Sequence, residues 1–130
     1  RTGPGRGYPA HATSLGKALL AHQSPHIIEA VIAERGLARC ASRTICEREQ
    51  LLDELERVRQ VGYAIDDEEY EEGLRCIGAP IVGHTGTVVA AIGIGGPVTR
   101  VTPDRVRELG QVVMEAAAGL SHRMGAGQSG

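Results

Sequence analysis

Two apolar runs, Leu74 to Val82 and Thr87 to Gly95, are separated only by Gly83-His84-Thr85-Gly86. Four residues are too few for a parallel crossover, which takes a dozen or more, so strands joined this way run antiparallel. That connection rules out a doubly wound parallel sheet and assigns the chain to the α+β class. It also sets what faces what. Alternation puts Leu74, Cys76, Gly78 and Pro80 on one face of the first strand. On the second, Val88, Ala90, Ile92 and Ile94 share one face, and Val89, Ala91, Gly93 and Gly95 the other. The last set loses bulk toward its end. Glycines inside a strand mark a bulge or the close approach of a ligand or another backbone. Both readings stand for Gly93 and Gly95: a bulge leading into the Gly96-Pro97 turn, or room left above Cys76 and Gly78.

The remaining elements follow from periodicity and end signals. A short helix is expected from Ser14 to His22. A second starts at Ser24-Pro25, where the serine can accept the first free amide and the proline suits the first helical position, and stops at Gly36. Ala38 to Ser42 reads as a short edge strand. Thr44-Ile45-Cys46-Glu47 matches a capping box, opening a helix that runs to Val61 with Leu51, Leu52, Leu55 and Val58 on its buried face. Gly62 ends it, and Tyr63 to Asp66 is a further strand. Thr102-Pro103 starts a long helix to about Met124, with Val106, Leu109, Val113, Ala116, Leu120 and Met124 as its apolar stripe. The Gly/Pro-rich opening reads as an arm and the closing residues as a disordered tail.

At 130 residues this is one domain. With three Tyr, no Phe and no Trp, its core must be aliphatic, and stacking platforms for single-stranded nucleic acid are excluded. A net charge of −2 without a basic patch argues against phosphate-backbone binding by this chain itself. No run approaches the roughly 20 apolar residues of a membrane span, and no signal peptide is visible. The start at Arg1 reads as a fragment or processed product. Cys40, Cys46 and Cys76 lack CxxC spacing and fit a reducing cytoplasm. Lys17 is the only lysine, which reads as coding bias.

Chemistry is sparse. The run from Asp66 to Glu72 holds six carboxylates and reads as a solvated loop without a calcium-loop pattern. Asp66 stands apart: it ends a strand, shares a face with Ala64, and can point inward toward either a polar ligand or nearby amides. Cys76 is the cysteine best placed for function, although it would need a lowered pKa to react. Two alternatives use it: a small thiol enzyme of the sulfoxide-reductase type with Cys40 or Cys46 as resolving thiol, and a metal or redox sensor with Asp66, Cys76 and His11 as ligands. No nucleophile elbow, phosphate loop or dinucleotide fingerprint occurs.

Four stretches resemble, in family order, the effector-binding domain of IclR-type bacterial transcriptional regulators. They are Pro9-Ala10-His11-Ala12-Thr13-Ser14-Leu15-Gly16-Lys17-Ala18, then Arg59-Gln60-Val61-Gly62-Tyr63-Ala64-Ile65-Asp66-Asp67-Glu68-Glu69, then Gly73-Leu74-Arg75-Cys76-Ile77-Gly78-Ala79-Pro80, and last Gly96-Pro97-Val98-Thr99-Arg100-Val101-Thr102. The resemblance covers about Pro9 to Gly125. It implies a GAF-like curved antiparallel sheet flanked by helices, with a ligand pocket over one face. It also implies a division into an arm (1–8) from a missing N-terminal DNA-binding domain, an effector-binding domain (9–125) and a tail (126–130). The implied effector contacts are the backbone at Ser14 and Leu15, the carboxylate of Asp66, Cys76, and Gly93 and Gly95, where well-studied small-acid binders carry serines. Leu74 and Ala91, on the faces of Cys76 and Gly93, complete the candidate set. Losing two hydroxyls opens volume that Leu15 partly refills, so the expected effector is larger and less polar than a two- or three-carbon keto acid. Its class is an organic acid or aromatic metabolite. The resemblance further implies a cytoplasmic transcription regulator that is not an enzyme, needs no cofactor or metal, pairs as a homodimer or homotetramer, and meets DNA only through the missing domain.

Overall fold

The hairpin read from the sequence anchors the architecture. In the computed structural model, which describes residues 9–123, it joins β2 (Leu74–Val82) to β3 (Val88–Pro97). The arm over 1–8 and the tail over 126–130 lie outside the described residues. Ahead of the hairpin come α1 (Ser14–Leu20), α2 (Pro25–Arg35), α3 (Arg48–Val61) and β1 (Ala64–Asp67); after it a 3₁₀ turn (Pro103–Arg105) leads into α4 (Val106–Arg123). Among the described residues the strands form one antiparallel sheet in the order β1-β2-β3.

Strand alternation builds a core on each face of this sheet. One core gathers Ala18, Leu20, Ile28, Leu51, Leu55, Val58 and Ala64 under α1, α2 and α3. The other gathers Tyr63, Ile77, Ala79, Ile81, Val101, Val113 and Ala117 under α4. Gly110 allows α4 to lie flat on this second face, because a Cβ there would stand 2.6 Å from ring atoms of Tyr63. Gly62 ends α3 in the left-handed region at φ 99°, its N–H donating to the Val58 carbonyl at 2.8 Å. Ser24 caps α2 as read, accepting from the Ile27 amide at 3.3 Å.

The structure corrects several local expectations. Gly93 and Gly95 do not form a bulge: they pair in regular register with Gly78 and Cys76. The irregularity lies at the other end of the hairpin, between Ile81 and Val82, where Ile81 faces Ala90 and Val82 faces Val88. The Val82 amide then donates to Ser121 Oγ on α4 at 2.9 Å. Ala38 to Ser42 is not a strand, and Thr44 and Glu47 make no capping box. The Thr44 hydroxyl accepts from the Cys40 and Ala41 amides at 3.0 and 2.8 Å and donates to the Glu69 carbonyl at 2.6 Å, so it is taken by its own loop. α3 therefore starts at Arg48 with no side-chain cap. Ala116 is exposed, and Ala117 faces the sheet instead, in line with Gly110 and Val113. α1 stops at Leu20, two residues early, and β3 runs on to Pro97.

Candidate functional site

Two cross-strand rows define the face beneath α1. Ala64, Gly78 and Gly93 form one, and Asp66, Cys76 and Gly95 the next. Thr13 caps α1, its Oγ1 accepting from the Gly16 amide at 3.1 Å, and so fixes where the helix begins. That beginning sits directly on the first row. A Cβ at Gly78 would stand 3.1 Å from the Ser14 carbonyl, and one at Gly93 would stand 3.1 Å from Leu15 Cδ2. These glycines are where the α1 backbone and Leu15 approach the sheet. At Gly95 a Cβ would meet Cys76 Sγ at 2.4 Å, so the thiol leans across its neighbour. The room expected above Gly93 and Gly95 is thus partly filled, by Leu15 and by Cys76. The site opens outward, with Leu15 44% exposed and Gly93 and Gly95 also exposed.

Ser14 is buried, and Asp66 is only 3% exposed. The structure brings Ser14, Leu15, Asp66, Cys76, Gly93 and Gly95 together. It places Leu74 at the far end of the same face, opposite Pro97, and packs half-buried Ala91 against the first core.

Asp66 carries the main polar group. Its Oδ1 accepts from the amides of Glu69 at 2.8 Å and Tyr70 at 3.2 Å. Burial pushes its carboxyl above the usual range, against the pull of those two amides and of Lys17. The Cys76 thiol is likewise held above its ordinary pKa, first by burial and then by the Asp66 charge. A thiol tuned this way stays protonated, the opposite of what a nucleophilic cysteine needs. The Cys40 thiol is also held above its ordinary pKa, first by burial and then by the Cys46 and Asp66 charges. His11 is buried with its Nε2–H donating to the Ala38 carbonyl at 2.8 Å, so that nitrogen is not aimed at a ligand. Among the described residues, no group of three or more His, Cys, Asp or Glu is arranged to hold a metal ion.

The site's support was not visible in the sequence. Lys17 is fully buried, and its Nζ donates to Glu69 Oε1 at 2.7 Å, Glu54 Oε2 at 2.9 Å and the Ile65 carbonyl at 2.7 Å. All three of its hydrogens are taken. Glu69 also accepts the Asp67 amide, while its own amide and carbonyl go to Asp66 and Thr44. The two carboxylates on Lys17 shift in opposite directions. Burial raises Glu69 despite the ammonium. Burial also opposes the charge on Glu54, but Arg57 and Lys17 outweigh it and leave that carboxyl lowered. The acidic run is therefore not a plain solvated loop: Asp66 and Glu69 are internal acceptors, and Asp67 ties to Arg75 and Arg43. The available signal was a lysine embedded among Leu15, Ala18, Leu19 and Leu20 in a short apolar helix.

Two clefts lie elsewhere. One of about 610 Å³ sits between α2 and α3 over Ile28, Leu52 and Leu55, and one of about 470 Å³ sits between α4 and β2. Neither is lined by any of the eight candidate residues. Among the described residues, no helix is long and apolar enough to cross a membrane.

Comparison with known proteins agrees with this layout. Residues 1–122 match the family described as bacterial transcriptional regulator IclR C-terminal. The HTH-type transcriptional repressor AllR of Escherichia coli (strain K12) is 38% identical over 117 residues, covering 90% of this chain and 43% of that protein. The crystal structure of the Agobacterium tumefaciens repressor BlcR superposes with a TM-score of 0.85 at 31% identity, covering 91% of this chain and 48% of that one. A double mutant of the PobR inducer-binding domain from Acinetobacter, in complex with 3-hydroxybenzoic acid, gives a TM-score of 0.79 at 31% identity, covering 86% and 64%. The chain thus spans less than half the length of the curated relative it matches.

Proposed function

The chain belongs to the IclR family of bacterial transcriptional regulators, as a match to their C-terminal domain, and from that premise we propose that it senses a small organic effector. The proposed site is the face formed by Ser14, Leu15, Asp66, Cys76, Gly93 and Gly95, with Leu74 and Ala91 at its margins. The observation that carries this reading is the three-strand row Asp66–Cys76–Gly95 beneath the start of α1. It joins a buried carboxylate, a protonated thiol and bare backbone at one open edge. Of the two effector classes implied by the resemblance, the aromatic metabolite suits Leu15 and the apolar strand surface better than a short keto acid does.

In this reading the effector binds one arrangement of paired copies more tightly than another, and so shifts how the regulator engages DNA through a segment other than this one. Such a shift can be no larger than the difference in affinity between the two arrangements. The raised thiol pKa of Cys76 speaks against the thiol-enzyme alternative, and the engaged His11 against the metal sensor. Native mass spectrometry of the purified protein tests the proposal. A bound organic molecule is expected, and it should be lost when Gly95→Leu fills the space beside Cys76. Retention of that molecule by a folded Gly95→Leu protein places the site elsewhere.

A further inference from the structure

While Gly110, Val113 and Ala117 of α4 face the sheet, Glu108, Val112, Ala116, Gly119 and Arg123 are all exposed on the same helix. They recur every three or four residues, which keeps them on one side of it. Val112 is 52% exposed, more than any other large hydrophobic residue described. Gly119 leaves a notch, because a Cβ built there would have nothing within 4 Å. The two ends carry opposite charges. Glu108 has only a long contact of 4.0 Å to Arg105, and Arg123 makes no ion pair among the described residues. Glu115, at the margin, is held on its own helix by Gln111 at 3.2 Å.

Turned end for end, this face matches itself. About a two-fold axis between Glu115 and Ala116, Glu108 comes level with the partner's Arg123 and Val112 with the partner's Gly119. Opposite charges then meet at both ends, and an apolar side chain meets an open notch on both sides of the axis. Every contact occurs twice, as an isologous pair requires. We propose that two copies of this chain pair through antiparallel α4 helices in that register. Glu108 to Arg123 spans about 22 Å of helix. A single helix pair of that length makes a contact smaller than the roughly 1,200–2,000 Å² of stable complexes, so the pairing is reversible and concentration-dependent. The exposed charges set register more than affinity, and Val112 is the anchor. The inference does not depend on where the effector binds; it supplies a surface for the paired copies invoked above.

Sedimentation velocity of the unmodified chain tests it, from about 5 μM to about 500 μM, a range that brackets weak association. The sedimentation coefficient should rise toward that of a dimer across the range. Val112→Glu should weaken association at least tenfold. Glu108→Arg and Arg123→Glu should each weaken it about fivefold, since each sets like charges opposite one another twice. Glu108→Arg and Arg123→Glu combined should restore it, because the exchange returns opposite charges at both ends. All three positions are exposed, so the fold, checked by circular dichroism, should be retained. A chain that stays monomeric throughout overturns the proposal. A dimer that Val112→Glu leaves unchanged also overturns it, since the pairing then uses another face. A double variant no better than the single reversals rejects this register.

Discussion

Replacing Lys17 with methionine removes the one ammonium that two acids and a carbonyl share. The side chain it leaves is of similar length and apolar, so the volume is filled and the lost charge is the main change. Breaking a buried ion pair by deleting one partner costs about 3–5 kcal/mol, because the surviving charge is left uncompensated. The structure points to the lower end of that range. Glu54 keeps Arg57 at 3.1 Å, so Glu69 is the group stranded, with only the Asp67 amide still donating to it. A loss of about 3 kcal/mol corresponds to a drop of roughly 10 °C in the unfolding midpoint of a domain this size. Urea and thermal unfolding followed by circular dichroism measure it. A second substitution, Glu69→Gln, should return more than half of the loss, since it removes the stranded charge and keeps an acceptor for Asp67. The pH dependence has a definite sign. Without Lys17 the folded Glu69 carboxyl rises further above its unfolded value, so the penalty is full at neutral pH and fades as pH falls through that raised value. A Lys17→Met protein within about 1 kcal/mol of the parent at pH 7 would refute the reasoning, because buried pairs that matter do not vanish so cheaply.

Other outcomes follow from single contacts. Gly110→Ala should destabilise by about 1–3 kcal/mol despite alanine's better helix propensity, because its Cβ would strike the Tyr63 ring at 2.6 Å. Gly119→Ala, on the same helix with nothing within 4 Å, should instead stabilise by about 0.5–1 kcal/mol; equal signs in chemical denaturation would contradict the packing described. Asp66→Asn should be more stable than the parent at pH 7, since burial raises the folded carboxyl above its ordinary 3.8. That advantage should shrink as pH falls through the raised value, and a gap unchanged down to pH 3 would argue against it. Iodoacetamide at pH 7 should label exposed Cys40 before half-buried Cys76, as read by peptide mass spectrometry, and fast labelling of Cys76 would revive thiol chemistry at the site.

What the sequence made legible was local or two-periodic. The bounds of β2 came from alternation and flanking glycine, and α2 came from Ser24-Pro25 at one end and Gly36 at the other. That Cys76 and Gly78 share a face needed only the strand period, but their partners Gly95 and Gly93 depend on the irregularity between Ile81 and Val82, since a plain four-residue turn would set Cys76 opposite Gly93. What stayed hidden depends on partners far along the chain. Thr44 carries a capping-box signature, but the Glu69 carbonyl, 25 residues away, competes for its hydroxyl and wins. Lys17 looked like codon usage because its acceptors lie 37, 48 and 52 residues on. Ala116 and Ala117 are equally apolar, and only the seating of Gly110 on Tyr63 decides which turns inward. Gly93 and Gly95 read as a bulge or as spare volume until the structure put Leu15 of α1 over one and the Cys76 thiol over the other.

The burial of Lys17 also changes how this chain meets reagents. It is the sole lysine, and with no accessible side-chain surface it offers no ε-amine to acetyl donors, amine-reactive dyes or crosslinkers. Surface coupling through lysines would therefore capture the folded protein only by other amines. The same fact makes Lys17 a reporter: a molecule found modified there must have broken its contacts to Glu54, Ile65 and Glu69, so labelling at that one residue counts openings of the packing among α1, α3 and the end of β1.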